Sequence, residues 1–299
     1  MISETMTSGP SVKKGLWSRM PVLVKALLAG LTVAGVAVRL WAFLVGMNFR
    51  HPGGWLGVPW SVLAMAAFLP FYFLYLNGHG WPRSTAAARR RDFRARNLPA
   101  RVWGWSLLAG SLGMASVAGL LLVWRRLMAM PSDPMPDISH IPRLAIILVA
   151  LMASFVAGFA EEAGFRGFLQ APLERRYGPW AAILLTGTVF GLLHANHAYW
   201  IPAVMPIFLL ASGVLGALAR LTGSILPGVI VHAVLDAVFF LWLEPLNGPV
   251  PPLVWSAGPD SAFWTSLGIF LLGGAASLWA FFRLAAVRSE PPSGMIAPI

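Results

Sequence analysis

The stretch RLAIILVALMASFVAGFAEEAGFRGFLQ, residues 143–170, begins with a long apolar run and ends with Glu161, Glu162 and Arg166. An apolar run of about 20 residues is long enough to cross the roughly 30 Å of hydrocarbon in a bilayer. Ionisable side chains inside such helices are costly, and they are therefore rare and usually functional. The stretch predicts a membrane-spanning helix that carries a polar site.

The rest of the chain repeats this apolar pattern. Its 299 residues are 58% hydrophobic and 11% charged, whereas a soluble domain carries about 25% charged residues. We therefore predict an all-α fold, a polytopic transmembrane helical bundle of about eight spans. The apolar blocks place these spans at residues 21–47, 57–77, 102–124, 143–170, 179–195, 200–220, 224–243 and 262–286.

The two ends of the chain differ from this bundle in composition. Residues 1–20 are polar and basic, and they predict a cytoplasmic N-terminus. Residues 21–288 are assigned to a single transmembrane domain, and the Pro- and Ser-rich residues 289–299 are predicted to be a disordered tail. The chain has no cysteine, which excludes disulfides, thiolate metal sites and a cysteine nucleophile.

Arginines between the second and third predicted spans indicate the topology. This segment holds Arg83, Arg89, Arg90, Arg91, Arg94, Arg96 and Arg101. Such a cluster is typical of a cytoplasmic loop, so we expect both termini to be cytoplasmic as well. The net charge of +11 is therefore attributed to topology, and no nucleic acid partner is expected. Binding of acidic lipid head groups is the alternative role of the arginine cluster. We expect an integral protein of a prokaryotic cytoplasmic membrane.

Glu161 and Glu162 are predicted to have different tasks, because adjacent residues of an α-helix point about 100° apart. Glu162 and Arg166 lie at i, i+4 in the order that favours a helical ion pair. Glu161 then points elsewhere without a partner on its own helix, which suits a general base or acid. The alternative is an acidic and basic cluster at the cytoplasmic end of the helix.

A helical hairpin is predicted to bring a histidine to Glu161. The sequence YGP at 177–179 predicts that one helix stops and another begins. Glu161 lies 16 residues before position 177, and His194 lies 16 residues after position 178. We expect these two residues to face each other about 24 Å from the hairpin tip. Phe190, one turn before His194, would separate the imidazole from lipid.

A second histidine lies in the seventh predicted span. His232 and Asp236 are at i, i+4 on one helix face, and an acid beside a histidine in an apolar segment favours a functional pair over a core histidine. Asn196 is predicted to cap the fifth span or to orient His194. The candidate site has Glu161, His194, His232 and Asp236 as catalytic residues, supported by Glu162, Arg166, Phe190 and Asn196.

Three motifs now indicate a family. EEAGFRGF at 161–168, FGLLH at 190–194 and HAVLD at 232–236 resemble, in order and spacing, the motifs of the CPBP intramembrane metalloproteases. This family includes the type II CAAX prenyl endopeptidases and the bacteriocin-processing and immunity-related proteins, also called the ABI family. The resemblance covers a core of about residues 143–245, and it implies eight spans with the motifs in the fourth, fifth and seventh.

The resemblance also implies roles for individual residues. Glu161 would be the general base and would work with His194 on one water, while His232 and residue 236 would stabilise the oxyanion. Arg166 would orient the site through the glutamates. The third motif often ends in Asn, whereas this chain has Asp236. An ionised carboxylate repels an oxyanion, so Asp236 would have to be protonated, hold His232 as imidazolium, or bind a metal.

A metal site is an open alternative to a metal-free glutamate mechanism. Glu161, His194, His232 and Asp236 would supply two nitrogen and two oxygen ligands, which are adequate for Zn²⁺. The H-E-x-x-H motif of common zinc proteases is absent. The sequence is compatible with either mechanism.

The predicted function is that of an intramembrane endopeptidase. It would hydrolyse a peptide bond of a membrane-anchored protein or peptide, including a prenylated CAAX-type substrate. The alternative is a non-enzymatic membrane binding or immunity protein, or a transporter that uses the same polar cluster. Paired helices broken by Gly or Pro and repeated in two halves, which would favour a transporter, are not found in the sequence.

Overall fold

The computed structural model describes residues 19–50, 59–129, 141–195, 201–243 and 252–289. All regular structure in these ranges is helical, which confirms the predicted all-α class. The helices are α1 Val22–Arg50, α2 Trp60–Leu76, α3 Ala86–Phe93, α4 Ala100–Leu127, α5 Arg143–Glu161, α6 Gln170–Tyr177, α7 Pro179–Leu193, α8 Ile201–Thr222, α9 Leu226–Val238, α10 Val254–Ala257 and α11 Ser261–Ser289. Asn196, residues 1–18 and residues 290–299 lie outside the described ranges.

Two π-helical segments interrupt or extend this α-helical pattern. Residues Glu162–Leu169 join α5 to α6 within one long helix, and residues Phe239–Leu243 extend α9. The sequence pattern predicts ordinary α-helix at both places. A π-helix has i to i+5 hydrogen bonds and is found mostly as short segments, frequently at functional sites.

Apolar helices occupy all eight predicted spans. Five are long and apolar enough to cross a membrane by length and composition, namely Val22–Asn48, Ala100–Leu127, Arg143–Tyr177, Ile201–Thr222 and Ser261–Arg288. Three are shorter, namely Trp60–Leu76, Pro179–Leu193 and Leu226–Leu241. The shortest has 15 residues, or about 22 Å at the rise of an α-helix. The described chain therefore contains eight apolar helices, of which five have full crossing length.

Glycines allow helix backbones near the motifs to come into direct contact. A methyl group on Gly30 of α1 would lie 2.9 Å from the carbonyl oxygen of Gly164, and one on Gly164 would lie 2.6 Å from the carbonyl oxygen of Gly30. A methyl group on Gly158 of α5 would lie 2.8 Å from the backbone nitrogen of Ala233 in α9. Small residues are the usual contacts between helices in lipid. These contacts hold the first motif against α1, and the helix that leads into it against α9.

The predicted hairpin turn is confirmed. Helix α6 ends at Tyr177, Gly178 has a φ of 83°, and α7 begins at Pro179. The positive φ of Gly178 is a conformation that residues with a side chain rarely adopt. Proline at the first helical position suits the restart, because its missing N–H would have had no partner there.

Two of the clustered arginines are structural as well as basic. Arg89 is buried, donates to the carbonyl oxygens of His79 and Gly80 at 3.0 and 3.3 Å, and lies 4.0 Å above the ring of Tyr75. Arg83, Arg90, Arg91, Arg96 and Arg101 are exposed. The topological role stays a prediction for the exposed arginines, whereas Arg89 holds the loop against α2.

Arg94 links this loop to the helix that carries the first motif. Its Nη1 lies 2.9 Å from Oε2 of Glu174 in α6, and its Nη2 donates to the carbonyl oxygen of Arg166 at 2.8 Å. The carbonyl oxygen of Arg94 accepts from the N–H of Ile225, just before α9. Burial lowers the pKa of the Arg94 guanidinium, and Glu174 partly offsets this effect. The side chain of Arg94 thus connects the loop to α6 and the π segment, and its backbone carbonyl connects the loop to the start of α9.

Arg126 makes a similar contact at the opposite end of α4. It is buried and donates to the carbonyl oxygens of Pro252 and Gly258 at 2.7 and 3.2 Å and to Asp260 at 2.7 Å. The backbone hydrogen bond from Phe263 and the Arg126 guanidinium hold the pKa of Asp260 below its ordinary value. The buried guanidinium fastens the segment before α11 to the end of α4.

We predict that Arg94→Ala lowers the free energy of unfolding, because it leaves the buried Glu174 carboxylate without its cation. Breaking a buried ion pair from one side typically costs roughly 3–5 kcal/mol. Alanine is chosen over glycine because Arg94 has a φ of 55°, and glycine would relieve that strain. Thermal unfolding in detergent measures the change.

Arg96→Ala is the matched control, because Arg96 is exposed and lies two residues further along the same loop. An equal loss of stability in both variants would contradict the structural role of Arg94.

Candidate active site

The first motif lies at the junction between α5 and the π segment. Helix α5 ends at Glu161, and every residue from Glu162 to Leu169 is buried. Glu161 keeps 15% of its side chain accessible, while the side chain of Glu162 is completely inaccessible. The structure therefore places the two adjacent carboxylates in different surroundings.

Glu162 and Arg166 form an ion pair in the interior. Nη1 of Arg166 lies 3.1 Å from Oε1 of Glu162, and neither side chain has accessible surface. None of the three guanidinium nitrogens makes a hydrogen bond, so the contact is electrostatic rather than a well-aligned hydrogen bond. The guanidinium also lies 4.9 Å from the ring centre of Phe190, a cation–π arrangement.

His232 lies between three carboxylates from two helices. Its Nδ1 is 3.0 Å from Oε1 of Glu162 and acts as the donor, since an ionised carboxylate only accepts. Its Nε2 lies 3.8 Å from Oε2 of Glu161 and 3.6 Å from Oδ2 of Asp236. The i, i+4 spacing does place Asp236 beside His232, at a distance beyond a hydrogen bond.

His194 is held at the C-terminal end of α7. Its Nδ1 lies 2.8 Å from the carbonyl oxygen of Phe190, and because a carbonyl only accepts, Nδ1 carries the proton. The imidazole is stacked on Phe208 of α8, with ring centres 4.2 Å apart. Phe190 lies on another side at 4.5 Å. Phe208 was not predicted from the sequence, because it belongs to none of the three motifs and comes from α8.

One cavity of about 310 Å³ brings the four predicted catalytic residues together. Glu161, His194, His232 and Asp236 all line it, and Phe190 lies beside them. The rest of the lining is apolar and comes mainly from α4, α8 and the end of α9, including Met114, Val117, Leu121, Ile207, Leu215, Phe239 and Phe240. The cavity thus combines an apolar volume with one polar wall.

The depth of the site follows from α9 rather than from the hairpin. His232 lies seven residues after Ile225, or about 10 Å along a helix, and Ile225 donates to the arginine-rich loop at Arg94. The tip at Gly178 extends further, because α6 continues past Arg94 to Tyr177. The site therefore lies about 10 Å along α9 from the level of the arginine-rich loop. The predicted distance of about 24 Å refers to the hairpin tip, which is a different reference point.

Glu161, His194, His232 and Asp236 are also the predicted zinc ligands of the metal-dependent alternative. Within the described ranges, no group of three or more His, Asp or Glu residues is placed to hold a metal ion. Nδ1 of His194 is bonded to a carbonyl oxygen, and Nδ1 of His232 is bonded to Glu162. Nε2 is the other ring nitrogen of each histidine, and an Nδ1 that donates to a carbonyl oxygen or a carboxylate is also usual where Nε2 binds a metal. The metal-dependent alternative stays a prediction from the sequence.

Comparison with known proteins supports the motif assignment. Residues 143–238, which are 96 of the 299 residues, match the family model described as Type II CAAX prenyl endopeptidase Rce1-like. This match contains all three motifs and confirms the resemblance. No curated protein and no solved structure was found to match the chain. The match covers about a third of the chain, and together with the apolar helices it supports an integral membrane protein that is similar to CAAX-type intramembrane endopeptidases.

We predict that Arg166→Ala destabilises the fold and lowers activity, because it leaves the fully buried Glu162 carboxylate without its cation. The expected loss is roughly 3–5 kcal/mol of unfolding free energy, read from thermal unfolding in detergent. Arg220→Ala is the control, since Arg220 is exposed. Normal folding together with normal activity in Arg166→Ala would show that the ion pair is dispensable.

Proposed function

We propose that this protein is an intramembrane endopeptidase that cleaves a peptide bond of a membrane-associated, CAAX-type protein substrate. The cavity carries this proposal, because it joins Glu161, His194, His232 and Asp236 to a large apolar volume. A general base, a second water ligand and an oxyanion donor are the groups that peptide hydrolysis requires. The apolar lining suits a substrate that carries a lipid group or an apolar tail.

Glu161 and His194 would activate the attacking water. Because Nδ1 of His194 donates to the carbonyl oxygen of Phe190, Nε2 is the free nitrogen and can accept a hydrogen bond from water. Glu161 has no ion-pair partner on its own helix and is accessible from the cavity. Its carboxylate would remove a proton as the water oxygen attacks the carbonyl carbon of the substrate.

His232 would stabilise the negative charge that then develops on the carbonyl oxygen. Nδ1 donates to Glu162, so His232 would have to be the doubly protonated imidazolium to donate from Nε2 as well. That second N–H would point towards the side of the cavity that carries Glu161 and Asp236. Collapse of the tetrahedral intermediate breaks the C–N bond. Glu161 returns its proton to the leaving nitrogen, and the products are a carboxylate and an amine.

The exposed arginines would place this chemistry near the cytoplasmic face. Arg83, Arg90, Arg91 and Arg96 are exposed in the loop that contacts Ile225 through Arg94, and positively charged loops are retained in the cytoplasm. The site lies about 10 Å along α9 from that level. A cytoplasmic protein tail anchored by a lipid would need to enter the bilayer only by this distance.

Glu161→Gln is expected to lower the rate of hydrolysis by at least about 100-fold, because an amide cannot accept the proton of water. The measurement compares the termini of membrane proteins by mass spectrometry in cells that carry the wild type or the variant. Specific C-terminal or juxtamembrane termini should disappear in the variant.

Asp92→Asn is the matched control, because it also changes an acid to its amide, lies outside the cavity and pairs with the exposed Arg91 and Arg175, and exposed ion pairs contribute little to stability. If the terminus profiles of wild type and Glu161→Gln are identical and either protein rescues a deletion phenotype, the protease proposal fails. The binding or immunity alternative would then explain the result.

Asp236→Asn is expected to retain or raise activity. The Asp236 carboxylate is 3.6 Å from His232 and is not hydrogen-bonded to it, whereas Glu162 already orients the ring. An amide at position 236 would donate to the oxyanion instead of repelling it. The value of kcat for a lipidated peptide measures the effect, and a complete loss would instead indicate that the charge of Asp236 is required.

A further inference from the structure

The buried carboxylate of Glu162 uses its two oxygens very differently. Oε1 contacts both Arg166, at 3.1 Å, and His232, at 3.0 Å. Oε2 is buried and has no hydrogen-bond partner. It lies instead against the backbone of α9 at Gly228, where a methyl group would be only 2.8 Å from Oε2 and 3.4 Å from Cδ.

Gly228 and His232 are one helical turn apart on the same face of α9. The Glu162 carboxylate therefore lies across a single stripe of this helix, with Oε2 against Gly228 and Oε1 bonded to His232. A contact of 2.8 Å with a methyl carbon is too short for a packed interior, so a side chain at position 228 would force a displacement. The carboxylate would rotate or α9 would move, and either change alters the contact with His232.

We propose that Gly228 is a positioning residue, whose lack of a side chain seats the Glu162 carboxylate so that it holds the His232 imidazole in its productive orientation. This inference rests on the proposed function, because the orientation matters through the oxyanion role of His232. Gly228 itself touches neither substrate nor the reacting atoms. Residue 228 lies outside the three motifs.

Gly158 is a glycine at an ordinary helix–helix contact, and it can be compared with Gly228. A methyl group on Gly158 would meet backbone atoms of α9, at 2.8 Å from the nitrogen of Ala233 and 2.9 Å from the carbonyl oxygen of Val229. At Gly228, by contrast, the three nearest heavy atoms all belong to the side chain of Glu162. The requirement for glycine at 228 thus comes from the carboxylate, and at 158 from the helix backbone.

The first measurement compares kcat and KM of Gly228→Ala with those of the wild type in purified, reconstituted protein. A misplacement of about 1 Å at a catalytic group can cost about 100-fold in rate, so kcat should fall by about this factor while KM changes little. Gly268→Ala is the matched control, because a methyl group there meets nothing within 4 Å and alanine is the better helix former.

A double-mutant cycle tests whether the effect passes through Glu162. The background is Glu162→Ala with Arg166→Leu, which removes the carboxylate without leaving an unpaired buried cation. In this background Gly228→Ala should lower neither kcat nor the melting temperature, because the Glu162 side-chain atoms with which the new methyl group would clash are absent. Gly158→Ala should remain harmful there, because its clash is with backbone.

The proposal is overturned if Gly228→Ala keeps the wild-type kcat, or if its loss is as large in the background as in the wild type. If the single variant Gly228→Ala does not fold, the melting temperatures of the Glu162→Ala, Arg166→Leu protein with and without Gly228→Ala are compared instead. Equal melting temperatures support the proposal, and a lower one with Gly228→Ala overturns it. Failure of the protease proposal is distinguishable, since Glu161→Gln would then match the wild type, whereas the melting temperatures still report coupling between residues 228 and 162.

Discussion

The carboxylate of Glu162, which has no accessible surface, is the constraint on which the candidate site depends. A buried charge is tolerated only when other groups compensate for the water it has lost. Here the compensation comes from Arg166 on the same helix and from His232 on α9. The requirement to neutralise one buried charge therefore ties the first motif to the third.

Several other contacts hold the helices around Glu162 and His232 together. Arg94 bonds the carbonyl oxygen of Arg166 and reaches the start of α9 through Ile225. Gly158 brings α5 into backbone contact with α9, and Gly164 does the same for the π segment and α1. Glu161 lies one residue before Glu162 and is thereby turned towards the cavity, where it faces an apolar volume. A fully buried, ion-paired carboxylate, Glu162, and an accessible carboxylate, Glu161, are thus adjacent in the chain.

Local sequence patterns predicted much of this arrangement because they depend on neighbouring residues. The length of the apolar runs predicted eight apolar helices, and Gly178 with Pro179 predicted the hairpin. The i, i+4 spacing predicted the contact between Glu162 and Arg166. The two π-helical segments were not predicted, because hydrophobic periodicity over five to eight residues does not distinguish i to i+5 from i to i+4 hydrogen bonding.

The sequence by itself determined the all-α class, the helix positions and which ionisable residues lie in apolar surroundings, since these follow from composition and from spacing within one helix. Only the tertiary structure decided that His232 binds Glu162 rather than Asp236, that Phe208 stacks on His194, and that four side chains share a cavity. These contacts join helices far apart in the chain. Their geometry depends on how closely the backbones approach, which no local pattern records.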